Sequence, residues 1–532
     1  MDIFSRALAI AVPVLEVLAI LFVFGLGCLI ISVGVMYLVD RHQSTHTIRR
    51  NYPVIGRFRY LFEHIGEFFR QYFFAMDREE LPFNRAERAW VYRAAKNVDR
   101  TIAFGSSKNQ NQKGSYIFLN SAFPFDSSRH SVDEKSDRFP VFGFGYVDFP
   151  YQPASRYNIS AMSFGALSKP AVRALSHGAA RAGVWMNTGE GGLSPYHLET
   201  GCDLVVQIGT AKYGVRDDDG GLSAEKLQDI ASYEQVKMFE IKLSQGAKPG
   251  KGGILPGAKV TAEIASIRGI PEGQDSLSPC AHPEFKTVGD MLDMVAFVRE
   301  QTHKPVGFKL VLGASRFLDD LFMEIVKRGK ASAPDFITVD SSDGGTGAAP
   351  QTLMDQVGLP LANSLPTLVR KLQEYGLRDR VRVIASGKLI NPGNVAAALC
   401  LGADYAVSAR GFMFALGCIQ ALQCNSNTCP TGITTHNKKL QHGLDWHDKA
   451  KRVESYINNM HKELVVLANS CGVAHEGLLS KEHLCIVDPL DIVDAEDLFP
   501  AQSEKTDLIK VVEASSVGVA EGGLEELPGK AG

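Results

Sequence analysis

The chain has 532 residues, 45 % of them apolar, with a formal net charge of −3 and a pI near 6.5. That length and apolar content allow a large core with appendages, and the near-neutral balance excludes a basic nucleic-acid-binding surface. Nine scattered cysteines, an odd number, argue against a disulfide scaffold.

Residues 17–39, VLAILFVFGLGCLIISVGVMYLV, carry no charge. As a helix rising about 1.5 Å per residue they span about 34 Å, enough for the hydrocarbon core of a bilayer. The segment is too long for the apolar region of a signal peptide, and no small-residue cleavage site follows. A buried core helix is the plainer alternative. Arg41, Arg49, Arg50, Arg57 and Arg59 follow the span and only Arg6 precedes it. The positive-inside rule therefore predicts a single-pass anchor (1–40) in the inner, cytoplasmic membrane, with the bulk of the chain in the cytoplasm.

Residues 41–150 are expected to form a juxtamembrane helical and lead-in segment. Within RRNYPVIGRFRYLFEHIGEFFRQYFF, aromatic and arginine residues interleave at helical spacing. This fits either a helix lying on the membrane surface or one packed against the following domain. Gly143, Gly145 and Pro150 punctuate the lead-in.

From 151 to 415, short apolar runs alternate with helix-like stretches. Strands are predicted at 159–162, 184–186, 204–208, 238–242, 306–310, 336–339, 381–385 and 405–408. Alternation of this kind gives a parallel sheet, and eight units over roughly 250 residues match a closed (β/α)8 TIM barrel. A doubly wound open sheet is the competing α/β arrangement.

In a barrel the chemistry sits just after the strands. Those turns here read SFGALS with Ser163, NTGEGG with Glu190, QIGTAKYG with Gln207 and Lys212, KLSQGAKPGKGGILPG with Lys242, Lys248 and Lys251, GFKL with Lys309, SSDGGTGAAP, SGKLINPG and SARG. The last three suit a phosphate cup, built from Gly344, Gly345, Thr346, Ser386, Gly387, Lys388 and Arg410. Any one such glycine makes an ordinary tight turn; the coincidence on three neighbouring strands favours a cofactor. Lys309 is a candidate cation for the flavin N1–C2 edge. Glu190, held between glycines, suits proton relay or an amine. Lys248 and Arg268 suit carboxylates.

Residues 416–502 hold Cys418, Cys424 and Cys429 in GCIQALQCNSNTCPTG, the last followed by proline. Thiolates are soft ligands, and such a run suits iron–sulfur ligation. Three close cysteines favour a three-iron cluster, with Cys471 a candidate distant fourth ligand. Zinc and plain packing are the alternatives. The acidic, glycine-containing stretch 503–532 is predicted to be a flexible tail.

NTGEGG, QGAKPGKGG, LPG, KVTAEIASIRG, DGGTGA and the cysteine run together resemble the FMN-binding synthase domain of glutamate synthase, over roughly 150–480. The resemblance implies a (β/α)8 barrel carrying FMN and a 3Fe-4S cluster. It implies reduction of 2-iminoglutarate, from 2-oxoglutarate and ammonia, to L-glutamate. It puts the cluster on Cys418, Cys424 and Cys429. FMN would meet Gln207, Lys309, Gly344, Gly345 and Gly387, and the substrate Glu190, Lys248 and Arg268. An external electron donor such as ferredoxin, and a separate glutaminase or reductase subunit, are the expected partners. No glutaminase domain is expected, because Met1 and Asp2 lead into the apolar span, and no GxGxxG opens a strand–helix unit. Where the family reads GEGGQLPG, this chain reads GKGGILPG, with Lys251 for the acid and Ile254 for the glutamine. Ile254 cannot donate a hydrogen bond, so a membrane-linked flavin dehydrogenase of another amino or keto acid is the alternative. A cofactor-free scaffold or amino-acid sensor is a third, non-enzymatic reading.

Overall fold

The computed structural model describes residues 3–98, 101–126, 139–488 and 491–500. The expected tail at 503–532 lies outside the described residues. The chain divides into two compact units, Met1–Ala86 and Glu87–Gly532.

In the first unit, helix Ile3–His42 contains a stretch, Ala11–His42, that is long and apolar enough to cross a membrane and whose apolar side chains are nearly all exposed. The chain then turns through Thr47–Asn51 into helix Gly56–Phe69 and a π-helical turn, Arg70–Phe74. Asp40 ties these pieces together. Its fully buried carboxylate accepts hydrogen bonds from Arg49 Nε at 2.9 Å, Arg57 Nε at 2.8 Å and the Val54 amide at 3.0 Å. A buried charge is tolerated when it is paired and bonded in this way.

The second unit is built on eight strands: β1 (Tyr157–Ile159), β2 (Met186–Asn187), β3 (Leu204–Ile208), β4 (Val236–Lys242), β5 (Val306–Val311), β6 (Phe336–Asp340), β7 (Arg382–Ser386) and β8 (Tyr405–Ser408). Each pairs in parallel with the next, and β8 pairs with β1. The closure excludes the open doubly wound sheet. Helices between strands cover the outside, which is why the strands read as continuous apolar runs and not as alternations.

Caps set the helix limits. Ser168 accepts from the Ala171 amide before helix Lys169–Ala182, and Gly183 ends it with φ +67°. Only glycine adopts that left-handed conformation without penalty. Helix Trp446–Ser470 lies against Lys169–Ala182. A Cβ on Gly178 would fall 2.5 Å from Val453, so the absence of a side chain there sets the approach. A three-stranded antiparallel sheet joins Tyr116–Phe118 to Leu484–Asp488 and Asp491–Asp494.

The amino end of the barrel is closed by aromatic packing. Phe142, fully buried, lies from 4.9 to 6.4 Å, centroid to centroid, from Tyr405, Phe336, Trp185 and Tyr151. The lead-in segment thus contributes the floor of the barrel, pinned by a bridge between Phe142 and Tyr151.

Candidate active site

Above that floor the barrel interior turns polar. Glu240, on β4, is buried and accepts from Asn187 Nδ2 at 2.8 Å, Gln207 Nε2 at 2.7 Å and Thr338 Oγ1 at 2.6 Å. Three donors from three strands hold one carboxylate on the barrel axis. A cavity there is lined by Ser160, Asn187, Glu240, Lys309 and Thr338, with Trp185 and Phe336 also on its wall.

One pleat further toward the carboxyl end, Lys242 of β4 and Lys309 of β5 stand in register. Lys309 lies 3.4 Å from the Asp340 carboxylate, and Lys242 Nζ donates to Glu190 Oε1 at 2.5 Å. Glu190 sits in the turn after β2. A Cβ on Gly189 (φ +65°) would fall 2.5 Å from the Ser163 amide, so this turn needs glycine to pack on the β1 loop. A Cβ on Gly209 or Gly253 would come within 2.7 Å of a Glu190 carboxylate oxygen. Those two bare backbones make room for the side chain.

The electrostatics of this cluster are lopsided. Burial opposes ionisation of Glu190, but Lys242 above all, with Lys248 and Arg268, outweighs it and holds the carboxyl below its ordinary value. The buried Lys248 side chain makes no hydrogen bond or ion pair among the described residues; burial first, then Lys242, push it down to about 8. Arg268, also buried, reaches Ser276 Oγ at 3.3 Å and the Phe164 carbonyl at 3.4 Å, while its Nε has no partner. One anion faces three cations. That excess is the electrostatic setting a further anion would fit.

The turns after β6, β7 and β8 meet beside Lys309. The Ser341 amide donates to the Ser386 carbonyl at 2.9 Å. Gly387 has φ +123°, and a Cβ there would fall 2.3 Å from Ser341 Cβ. A Cβ on Gly345 would fall 2.8 Å from Arg410 Cδ, and Arg410 Nη2 donates to the Asp343 carbonyl at 2.8 Å. Lys388 Nζ lies 2.9 Å from the Asp343 carboxylate, which Ser341 also contacts. Gly344 is buried against Gly246. Bare backbone from three turns thus converges beside two cations, a donor set suited to a phosphate-bearing group. The Thr346 hydroxyl donates within its own loop, to the Ala348 carbonyl at 3.4 Å.

The cysteine loop docks on the same rim. His436 Nε2 bonds the Gly165 carbonyl at 2.8 Å, and the Ser168 amide donates to the Ile433 carbonyl at 2.8 Å. Buried Lys259 bridges the two, donating to the Ala166 carbonyl at 2.9 Å and the Cys424 carbonyl at 3.3 Å. Burial pushes Cys418 up to about 12, with Cys424 and Cys429 adding to the rise. At Cys429 burial is outweighed by hydrogen bonds from Thr431 and Thr434, which hold the thiol below its ordinary value. The three thiols are thus within electrostatic reach, but among the described residues no three His, Cys, Asp or Glu side chains are gathered into a metal-binding group. Cys471 lies in the field of Cys400 instead.

Of the residues singled out from the sequence, Glu190, Lys248 and Arg268 come together in one cluster. Lys309 lines the axial cavity and Gln207 donates to Glu240 on its wall; the glycines, Ser386, Lys388 and Arg410 gather at the turns after β6, β7 and β8, and Ser163 backs the Glu190 turn. Sequence reasoning missed Glu240, Asp340 and Asn187, and named Lys242 without a role. The signal was available: Glu240 and Lys242 stand two apart in VKMFEIK, so they share one face of an otherwise buried strand.

The sequence profile described as a conserved region in glutamate synthase matches residues 105–474. The glutamate synthase large subunit-like protein YerD of Bacillus subtilis (strain 168) is 41 % identical over 500 residues, covering 87 % of this chain and 94 % of that protein. The archaeal-type glutamate synthase [NADPH] of Dehalococcoides mccartyi is 33 % identical over 314 residues, 59 % of each chain. That of Methanocaldococcus jannaschii is 34 % identical over 317 residues, 59 % of this chain and 58 % of its own. This chain therefore spans less than two thirds of either NADPH-named relative.

Proposed function

Because the chain belongs to the glutamate synthase family, we propose that it is a flavin-dependent oxidoreductase that reduces 2-iminoglutarate, formed from 2-oxoglutarate and ammonia, to L-glutamate. The observation that carries this reading is the charge of the mouth: Glu190 alone among Lys242, Lys248 and Arg268. A dianionic keto acid balances that excess. The neighbouring pocket of Gly344, Gly345, Gly387, Lys388 and Arg410 would hold the FMN phosphate, and Gln207 and Lys309 its ring. FMN, when bound, supplies the hydride chemistry.

The chain's own residues do the rest. Lys248 and Arg268 bind and orient substrate carboxylates. Glu190, kept ionised by Lys242, receives or passes a proton at the nitrogen of the substrate. The aromatic floor keeps water from entering behind the reacting centre.

We further propose that the loop of Cys418, Cys424 and Cys429 seats a 3Fe-4S cluster, on the strength of three thiols on one loop at the rim and the hydrogen bonds that favour ionisation of Cys429. An external donor such as ferredoxin would supply electrons, and ammonia would be free or come from a separate glutaminase subunit. The apolar helix would anchor the enzyme in the inner membrane, with the barrel in the cytoplasm.

The test is direct. Full-length protein extracted from membranes should contain FMN, iron and acid-labile sulfide, and Cys424→Ser should lose the iron. With reduced ferredoxin, 2-oxoglutarate and ammonium it should form glutamate; failure with every donor tried overturns the synthase reading. A second reading is favoured by Ile254, which follows Gly253 beside Glu190 and offers the substrate no hydrogen bond. Bleaching of the flavin by another amino acid, but not by glutamate, would establish that dehydrogenase alternative.

A further inference from the structure

We propose that residues 56–74 form a second membrane contact, a helix lying among phospholipid headgroups and glycerol backbones beside the foot of the anchor. The inference rests on the anchor reading of Ala11–His42, and it adds a surface to it.

The Asp40 clamp fixes the depth. Asp40 lies two residues before the end of the apolar helix, where a span meets the headgroups. Arg57, in the first turn of helix Gly56–Phe69, is bonded to Asp40, as is Arg49. The second helix therefore starts at interfacial depth. It cannot begin out in the water without stripping the buried Asp40 carboxylate of the bonds from Arg57 and Val54 that satisfy it.

The exposed side chains then select the direction. Phe58, Leu61, Phe62, Phe69, Tyr72 and Phe73 are spaced at three-, four- and seven-residue intervals, so they form one stripe along the helix and its π-helical extension. Each is between 45 and 74 % exposed. Phe58 lies against Phe62, and Phe69 against Phe73, with centroids 6.3 and 5.4 Å apart. Exposed Arg50, Arg59 and Arg70 flank the stripe and match the phosphates of a headgroup layer. An aromatic stripe with flanking arginines, starting where a span ends, is what an interfacial helix requires. A span alone needs none of it.

The experiment uses the full-length chain in vesicles of phosphatidylcholine and phosphatidylglycerol. Phe62→Trp and Phe73→Trp are made one at a time, with Phe22→Trp in the span as the control. The emission added over the parent protein is measured with lipids brominated near the headgroup or deep in the acyl chain. The proposal expects Phe62→Trp and Phe73→Trp to be quenched at least twofold more by shallow than by deep bromines, and Phe22→Trp the reverse. If Phe22→Trp is quenched but Phe62→Trp and Phe73→Trp are not, and iodide reaches them, the stripe is in water and the proposal falls while the anchor stands. If they are shielded from both bromine and iodide, a protein surface or second copy covers the stripe, and the proposal falls again. Loss of Phe22→Trp quenching removes the anchor reading and the proposal with it.

Discussion

Lys242 and Lys309 are register partners on adjacent barrel strands, yet each is buried against a different carboxylate, Glu190 for the one and Asp340 for the other. Side chains of like charge, side by side on neighbouring strands, repel. Here the two ion pairs turn them apart, and the mouth divides into a substrate side and a cofactor side.

Replacing Glu190 by glutamine removes the acceptor for Lys242 Nζ without changing the shape of the turn. The expected result is a loss of about a thousandfold in kcat/KM for glutamate formation, the scale of one general acid–base group. Bound flavin should be unchanged. Steady-state kinetics with flavin quantification check it.

Lys248 gives a pH dependence. Burial, with Lys242, lowers its pKa from 10.5 to about 8. Below pH 8 it is charged and pairs with a substrate carboxylate; above, it is neutral. KM for the keto acid should rise about tenfold per pH unit above 8, with kcat little affected, and Lys248→Arg should flatten the rise. The stability effect runs the other way. The folded chain binds this proton more weakly than the unfolded chain, so from about pH 8 to 10.5 this group makes the fold more stable as pH rises.

Glu240→Gln keeps the volume but puts an amide among three donors, Asn187, Gln207 and Thr338. The glutamine oxygen can still accept from Asn187 and Gln207, and its amide can donate to the Thr338 hydroxyl, but the charge is gone. Losing a charge-assisted acceptor in a buried network should cost about 3 kcal/mol, read as a shift in the denaturation midpoint. Glu240→Asp should cost less.

Gly387→Ala forces a Cβ to within 2.3 Å of Ser341 Cβ at a residue with φ +123°. The turn must move, and the pocket beside it with it. Flavin retained after gel filtration should fall to a small fraction of the parent value. Gly183→Ala, at a helix end away from the mouth, should lower the melting temperature and leave flavin content intact.

Much of this site is written openly in the sequence, and the rest is hidden for physical reasons. Strands at 204–208 and 405–408 coincide with β3 and β8 because each is an uninterrupted run that a parallel sheet buries on both faces. The first strand is expected at 159–162 but is Tyr157–Ile159. Asn158 reads as a turn residue, whereas here its side chain donates to the Ser155 carbonyl and accepts from the Trp185 amide, inside the wall. The second, expected at 184–186, is Met186–Asn187, because Val184 and Trp185 are buried but only Met186 and Asn187 join the ladder. The glycine turns were legible because close backbone approach leaves only glycine. Glu240 and Asp340 were not, because a lone acid in a strand looks like a solvated position until the barrel closes around it.

The position of Phe142 has a practical consequence for anyone preparing shorter versions of this protein. A fragment trimmed to begin at the first barrel strand would be missing its basal plug, leaving Trp185, Phe336 and Tyr405 facing solvent across the gap. Such a fragment should be sticky and prone to precipitate, whereas one that starts at Glu87 keeps the stopper and the hairpin that delivers it.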